Sequence, residues 1–250
     1  MAPLPYRYAL VTGASRGIGA AICRGLRQQG LTVYAAARNA ETLAALAAET
    51  GVKPIVADVR DPRPLLAALD GSDIDVLVNN AGGLDSVRPL HEQTPEEIID
   101  GVSLNLTAPL LLIRALLPGM IARKRGHIFN VTSISAHSVF ASTTTYGASK
   151  AGLSQAGRSL RYDLAGSNVR VTEISPGRVE TELYLRAFGG NREALQDKMY
   201  RAHRSLRPDD VAAALLAALA MPAHVDLAHI DIEPTDQAPG GYVYGSYDGD

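Results

Sequence analysis

The sequence predicts an α/β protein: a single domain built on a doubly wound, seven-stranded parallel sheet with helices on both faces. Three observations carry this reading. Short apolar runs alternate with longer Ala- and Leu-rich stretches along most of the chain. Several of those runs are continuously apolar, as expected for strands covered on both faces. A glycine-rich turn, Gly13 to Gly19, stands between the first run and the first stretch. Repeated strand–helix alternation calls for crossover connections and hence a parallel sheet.

The predicted strands are Tyr8 to Thr12, Thr32 to Ala37, Pro54 to Asp58, Ile74 to Asn79, His127 to Thr132, Val169 to Ile174 and Ala228 to Ile232. Between them lie predicted helices: Gly17 to Gln29, Ala40 to Glu49, Pro62 to Leu69, Pro95 to Ala122, Thr144 to Ala165 and Pro208 to Ala220. Thr94-Pro95-Glu96-Glu97 is a helix start, with Thr as cap, Pro at the first helical position and Glu97 closing a capping box. Two segments break the rhythm. Residues 177–207 are too long for an ordinary connection and are expected to form a lid over a substrate. Residues 234–250 form a Gly- and Tyr-rich tail.

Composition excludes several classes. With 250 residues, 46% hydrophobic, the chain suits one full core. A net charge of -2 and the lack of a long basic run argue against nucleic acid as a partner. No apolar run reaches the roughly eighteen residues of a membrane span, and the longest, Ala108 to Ala122, is interrupted by Pro109, Arg114 and Pro118. The N-terminus lacks the pattern of a signal peptide, so a cytoplasmic protein is expected. A single cysteine, Cys23, permits no internal disulfide and no cysteine-based metal site; it reads as a small apolar filler, and no metal is expected.

The turn Thr12-Gly13-Ala14-Ser15-Arg16-Gly17-Ile18-Gly19 ends the first strand and opens the first helix. A dinucleotide pyrophosphate docks at such a place in a Rossmann-like sheet. Gly13 supplies the tight turn, Gly17 the close approach of backbone to phosphate and Gly19 the close helix packing. The spacing is G-x-x-x-G-x-G. Sites that read an unmodified ribose carry Asp or Glu at the end of the second strand. Here Ala37 and Arg38 stand there, and Arg16 adds a second cation. An acid would repel a 2′-phosphate and Arg38 attracts it, so NADP(H) is preferred over NAD(H).

Tyr146 and Lys150 stand four apart in a predicted helix, hence on one face. An ammonium beside a phenol favours the phenolate, so the pair is suited to proton transfer near neutral pH.

Further segments then fall into order. Asn79-Asn80-Ala81-Gly82 closes the fourth strand, Asn105 lies in the long helix, Ser133 stands thirteen residues before Tyr146, and Pro176-Gly177 follows the sixth strand. Together with the glycine turn these motifs resemble the short-chain dehydrogenase/reductase family from about Tyr8 to Pro234. The resemblance implies catalytic roles for Asn105, Ser133, Tyr146 and Lys150. Tyr146 would be the general acid or base and Ser133 would hold the substrate oxygen. Lys150 would lower the tyrosine pKa and bind the nicotinamide ribose, and Asn105 would hold a water of a proton relay. Asp58 and Val59 would contact the adenine, and Asn80, Ala81 and Gly82 would line the cofactor. Pro176, Gly177, Val179 and Thr181 would position the nicotinamide. The resemblance also implies a homodimer or homotetramer formed through the helices containing Asn105 and Tyr146.

Alternatives stand beside these roles. Ser133 could cap a turn with Ser135 taking the catalytic place, and Asn105 could bond to backbone inside its helix. Asn79 reads as a tie between neighbouring strands. His127 and His137 read as an incidental strand residue and a loop residue. Leu183, Tyr184, Leu185 and Phe188 are candidates for an apolar wall over the substrate, with Val139 and Phe140 opposite. The arginines of the lid, set against Glu180, Glu182, Glu193 and Asp197, either favour a small anionic substrate or, for most of them, are solvated charge on a helical lid. The segments Met221 to Val225 and Ile230 to Gln237 resemble those of NADP-dependent 3-hydroxy acid dehydrogenases and broad carbonyl reductases. The expected activity is therefore hydride transfer between NADP(H) and a carbonyl or alcohol, with a small hydroxy acid, aldehyde or ketone as substrate. A reductase of carrier-bound 3-oxoacyl groups and an idle NADP(H) sensor are the competing readings.

Overall fold

A computed structural model describes residues 4–69, 71–84, 87–183, 185, 190–197, 204–235 and 237. Tyr184, Phe188 and most of the tail fall outside them. Among the described residues seven strands form one parallel sheet in the order β3-β2-β1-β4-β5-β6-β7. The strands are β1 (Tyr8–Thr12), β2 (Thr32–Ala37), β3 (Lys53–Val56), β4 (Val76–Asn79), β5 (Gly126–Val131), β6 (Val169–Pro176) and β7 (His229–Ile232). The helices are α1 (Gly17–Gln28), α2 (Ala40–Thr50), α3 (Pro62–Ala68), α4 (Pro95–Val102), α5 (Ala108–Ala122), α6 (Thr144–Asp163), the short α7 (Arg192–Leu195) and α8 (Pro208–Leu219).

Successive side chains of a strand point to opposite faces, and the core divides accordingly. Ala9 and Val11 of β1 join Val76, Val78, Phe129 and Ile174 against α1 and α8, through Leu26, Val211 and Leu215. Leu10 joins Leu77, Ile128 and Val171 on the other face, against Leu65 of α3 and Leu112 and Met120 of α5. The continuously apolar runs of the sequence are therefore two interleaved half-cores. Cys23 is a fully buried member of the first, and burial pushes its thiol up to about 12.

Strand bounds shift by one residue in β5 and β7 and by two in β3, β4 and β6, where β6 runs on to Pro176. β4 begins at Val76 rather than Ile74, because the Asp75 carboxylate turns back to accept from the Arg7 N–H at 2.7 Å and the Arg125 guanidinium at 3.0 Å. β3 stops at Val56, two residues early, because its neighbour β2 ends at Ala37.

The capping box at Thr94 forms in both directions, with Thr94 N–H donating to Glu97 at 2.8 Å and Glu97 N–H donating to Thr94 Oγ1 at 3.2 Å. The expected long helix is continuous but not uniform. Between α4 and α5 it widens into a π-turn over Ser103–Thr107, closed by Ala108 N–H donating to Ser103 O. Counted through that turn, Pro95–Ala122 spans 28 residues and is long and apolar enough, by length and composition, to cross a membrane. Ala108, Leu112, Ile113 and Met120 lie in the core, so packing against the sheet accounts for part of that composition, while Ile99, Leu110, Leu111 and Ile121 are exposed.

Two buried polar groups hold the far end of the sheet. The Arg170 guanidinium caps the C-terminus of α8, donating to Ala218 O, Leu219 O and Tyr6 Oη at 3.0–3.2 Å, where carbonyls at a helix end favour a cation. His127 is fully buried, with Nε2 2.7 Å from Thr172 Oγ1 and its ring 3.9 Å from that of Phe129. Burial first, and the Arg170 charge second, hold its pKa well below 6.5.

This makes acid a threat to the fold. The unfolded chain takes up the His127 proton near pH 6.5, where the folded chain refuses it. The stability His127 contributes is present above about pH 6.5 and is lost as pH falls from there towards the depressed folded value. We expect the melting temperature to fall less between pH 7 and pH 5 in His127→Gln than in the parent. Parallel melting curves with equal pH slopes would refute this role.

Candidate active site

The site lies at the C-terminal ends of the strands, where strand order reverses between β1 and β4. Thr12 and Asn80 close that switch point. Thr12 Oγ1 donates to Val78 O at 3.2 Å and accepts from the N–H groups of Asn80 and Ala81 at 3.1 and 3.0 Å. Asn80 Nδ2 donates to Thr12 O at 2.8 Å and Gly13 O at 3.2 Å. The turn between them tolerates no side chain. Gly13 has φ +63°, and a Cβ on it would stand 2.9 Å from Ala81 Cα. A Cβ on Gly19 would stand 2.3 Å from Gly13 O, so that glycine lets the helix close on its own turn. Arg16, the N-cap of α1, makes no side-chain capping bond, and the first turn holds no acid. The N–H groups there are suited to an anion.

A cleft of about 1130 Å³ runs from this turn to Tyr146. Of the residues singled out for cofactor, Gly13, Ser15, Arg16, Gly17, Ile18, Arg38, Asp58, Val59, Asn80, Ala81, Gly82, Pro176, Gly177, Val179 and Thr181 all line it. Gly19 sits one layer behind. Asn39 and Thr42 also line it, and sequence reading passed them over. Asn39 caps α2, its Oδ1 accepting from Thr42 N–H at 2.9 Å, so the exposed Arg38 stands at a helix N-terminus. The signal was available as an N-cap residue directly after β2. Arg38 lies 3.9 Å from Asp58, whose carboxyl is held below its usual range chiefly by hydrogen bonds from Arg60.

At the other end of the cleft, Ser133, Tyr146 and Lys150 converge. One face of α6 buries Tyr146, Ser149, Lys150, Leu153 and Ser154, as four-residue spacing requires. Lys150 Nζ donates to Val131 O at 2.8 Å and lies 5.8 Å from the centre of the Tyr146 ring. Burial pushes the Lys150 ammonium down to about 8, and the nearby Glu173 carboxylate opposes that shift. Glu173 is itself buried and accepts from Thr132 Oγ1 and Ser154 Oγ, each at 2.7 Å. It lies 2.9 Å from His137 Nε2. Burial alone would raise its pKa; these partners outweigh burial and hold it below the usual carboxylate range. Glu173 was not among the expected site residues.

Asn105 lies in the π-turn, buried behind the cleft. Its Nδ2 donates to Gly83 O at 2.9 Å and Gly101 O at 3.1 Å, and its Oδ1 accepts from Gly83 N–H at 3.1 Å. This matches the backbone-bonding alternative for its amide. It nonetheless adjoins Lys150: a Cβ on Gly82 would stand 2.8 Å from Asn105 Oδ1 and 3.2 Å from Lys150 Nζ. Asn79 ties strands as expected, donating to Asn130 Oδ1 at 2.9 Å.

Ser133 makes the turn cap given as its alternative and also faces the cleft. It lines the cleft, and its Oγ accepts from Ser135 N–H at 3.1 Å as cap of the short turn Ile134–Ala136. That turn carries the chain away. Ser135 and Phe140 are not among the cleft-lining residues, and Val139 is 95% exposed, so the wall expected from Val139 and Phe140 does not form. Of the lid, Leu183 lines the cleft together with Glu182, Arg192 and Gln196. Glu182 pairs with both Arg16 and Arg192.

This constellation defines a nucleotide cleft ending at a Ser–Tyr–Lys group, and the short chain dehydrogenase family model matches residues 7–188. The chain belongs to that family of oxidoreductases. It is 37% identical over 240 residues to a serine 3-dehydrogenase of Agrobacterium fabrum, covering 93% of this chain and 96% of the relative. It is 38% identical over 240 residues, with the same coverage, to an NADP-dependent 3-hydroxy acid dehydrogenase of Salmonella typhimurium. Among solved structures, the closed form of serine dehydrogenase complexed with NADP+ superposes with a TM-score of 0.90 at 35% identity, covering 96% of this chain and all of that one.

Proposed function

We propose that this protein transfers hydride between NADP(H) and the 3-position hydroxyl or carbonyl of a small hydroxy acid, with Tyr146 as general acid and base. One observation carries the proposal: the Ser–Tyr–Lys group and the glycine turn open into the same cleft. The 3-hydroxy acid and serine dehydrogenases among its relatives support the substrate class.

The cradle fits NADP(H). Gly13 and Gly19 leave room for backbone at the α1 N-terminus, and Arg38 beside the α2 N-terminus suits a 2′-phosphate. When bound, the cofactor supplies or accepts the hydride. The chain handles the proton and the oxygen. Ser133 and Tyr146 aim two hydroxyl donors at the substrate oxygen, stabilising the negative charge that grows there during reduction. Tyr146 then gives up its proton. The Lys150 ammonium favours the phenolate that remains and binds the ribose hydroxyls beside it. Asn105 holds the Gly83 backbone through both its amide atoms, adjoining Lys150. The apolar side chains exposed on the π-turn helix, Ile99, Leu110, Leu111 and Ile121, suit a contact with a second copy of the chain.

Three measurements test this. Purified enzyme should reduce NADP+ with serine or a 3-hydroxy acid, and Tyr146→Phe should lower kcat by about 10²–10⁴-fold while NADPH binding persists; normal turnover in that variant would sink the acid–base assignment. Arg38→Asp should weaken NADPH by at least about tenfold and leave NADH nearly unchanged; equal losses would remove Arg38 from the phosphate. For carbonyl reduction, kcat/KM should decline as pH rises through about 8, where Lys150 loses its charge. Glu173→Gln removes the anion that favours the ammonium, so that limb should move to lower pH. An unmoved limb would show that Glu173 does not act on Lys150.

A further inference from the structure

β7 is the last strand of the sheet among the described residues, and alternation puts His229 and Asp231 on the same face. The register pairs His229 with Glu173 of β6, so Glu173 faces the same way. Over that face passes the loop that follows Ser133, bringing His137 beside them. The His137 and His229 rings lie 4.6 Å apart between centres, and His229 Nε2 is 2.9 Å from Asp231 Oδ1. One ring nitrogen of each histidine and a carboxylate oxygen of Asp231 lie within 4.8 Å of one another, all three residues being exposed.

We propose that His137, His229 and Asp231 bind a divalent transition-metal ion of the zinc class, clamping the loop after Ser133 to the edge strand. Two imidazoles and one carboxylate form a donor set for zinc, cobalt or nickel, not for the all-oxygen cations magnesium and calcium. A tetrahedral zinc site has metal–ligand bonds of about 2.0–2.2 Å and so holds its ligand atoms roughly 3.3–3.6 Å apart. His229 Nε2 and Asp231 Oδ1, 2.9 Å apart in a hydrogen bond, stand closer than that, and the set as a whole spans up to 4.8 Å, so rotation of these exposed side chains opens the first separation and closes the rest. Glu173 completes the pattern. A metal-ligating imidazole commonly donates its other N–H to a carboxylate, which fixes the ring and raises its basicity. With Nε2 of His137 held by Glu173, Nδ1 remains for the metal. The three protein ligands leave a fourth position for water. None of the three lines the cleft, so the ion acts on the loop and not on the reacting atoms. His137 lies between Ser133 and Tyr146 in sequence, and the clamp thereby restrains the segment joining the two proposed hydroxyl donors.

The test uses tag-free, EDTA-stripped protein titrated with Co2+ and with Zn2+, followed by calorimetry and by cobalt d–d absorption. One ion per chain is expected, with a rise in melting temperature. His229→Ala and Asp231→Asn should each weaken binding by at least tenfold, on the order of the 10–100-fold loss expected for Glu173→Gln. His224→Ala, an exposed histidine outside the cluster, should change nothing. Absence of saturable binding overturns the proposal. So does binding that survives intact in a folded His137→Ala/His229→Ala double variant; if that variant does not fold, undiminished binding in Asp231→Asn decides against the site.

Discussion

Lys150 is a cation with 4% exposure, and most of the site follows from what it takes to keep it there. An ammonium removed from water needs acceptors and a nearby negative charge. Val131 O supplies the first from the end of β5. Glu173 supplies the second from β6, and it is tied to α6 through Ser154, one turn beyond Lys150. The same carboxylate ties down Thr132, next to Ser133. A single buried acid thus fixes two strands and a helix around the lysine. Burial pushes the Lys150 pKa down to about 8 and Glu173 opposes that shift, so the ammonium remains largely charged at neutral pH.

The parts of this arrangement that sequence makes legible are those set by local chemistry. Strand positions follow from apolar runs, α4 from its capping box, and the glycine turn from conformations that only glycine adopts cheaply. The nucleotide cleft was legible because nearly all of its lining comes from strand ends, which occur at regular places along the chain. Glu173 was not. It reads as one polar position in a strand, and its partners Thr132, Ser154 and His137 lie 41, 19 and 36 residues away. Long-range pairings of that kind leave no periodic trace. The loop after Ser133 left a similar gap: sequence offers Phe140 and Val139 as apolar candidates, and only the structure shows Val139 exposed and neither among the cleft-lining residues.

On the segment after β6 one anion serves two cations. Arg16, expected to face a phosphate, pairs with Glu182, which also holds Arg192 of α7. All three line the cleft. Glu182 thus offsets the charge of both cations where they line the cleft. Arg38, at the opposite lip and beside Asp58 at 3.9 Å, is more weakly engaged and so more readily available to a ligand.

The π-turn at Ser103–Thr107 has a consequence for how this chain can vary. An i→i−5 bond takes one residue more than an ordinary helical turn, so the turn absorbs that residue and leaves α5 in phase with α4. Deleting one residue between 103 and 107 would restore ordinary helical bonding and keep Leu112, Ile113 and Met120 facing the core. What it would cost is the widened turn from which the Asn105 amide reaches Gly83 and Gly101. The extra residue therefore serves the site beside Lys150 and not the packing of the helix.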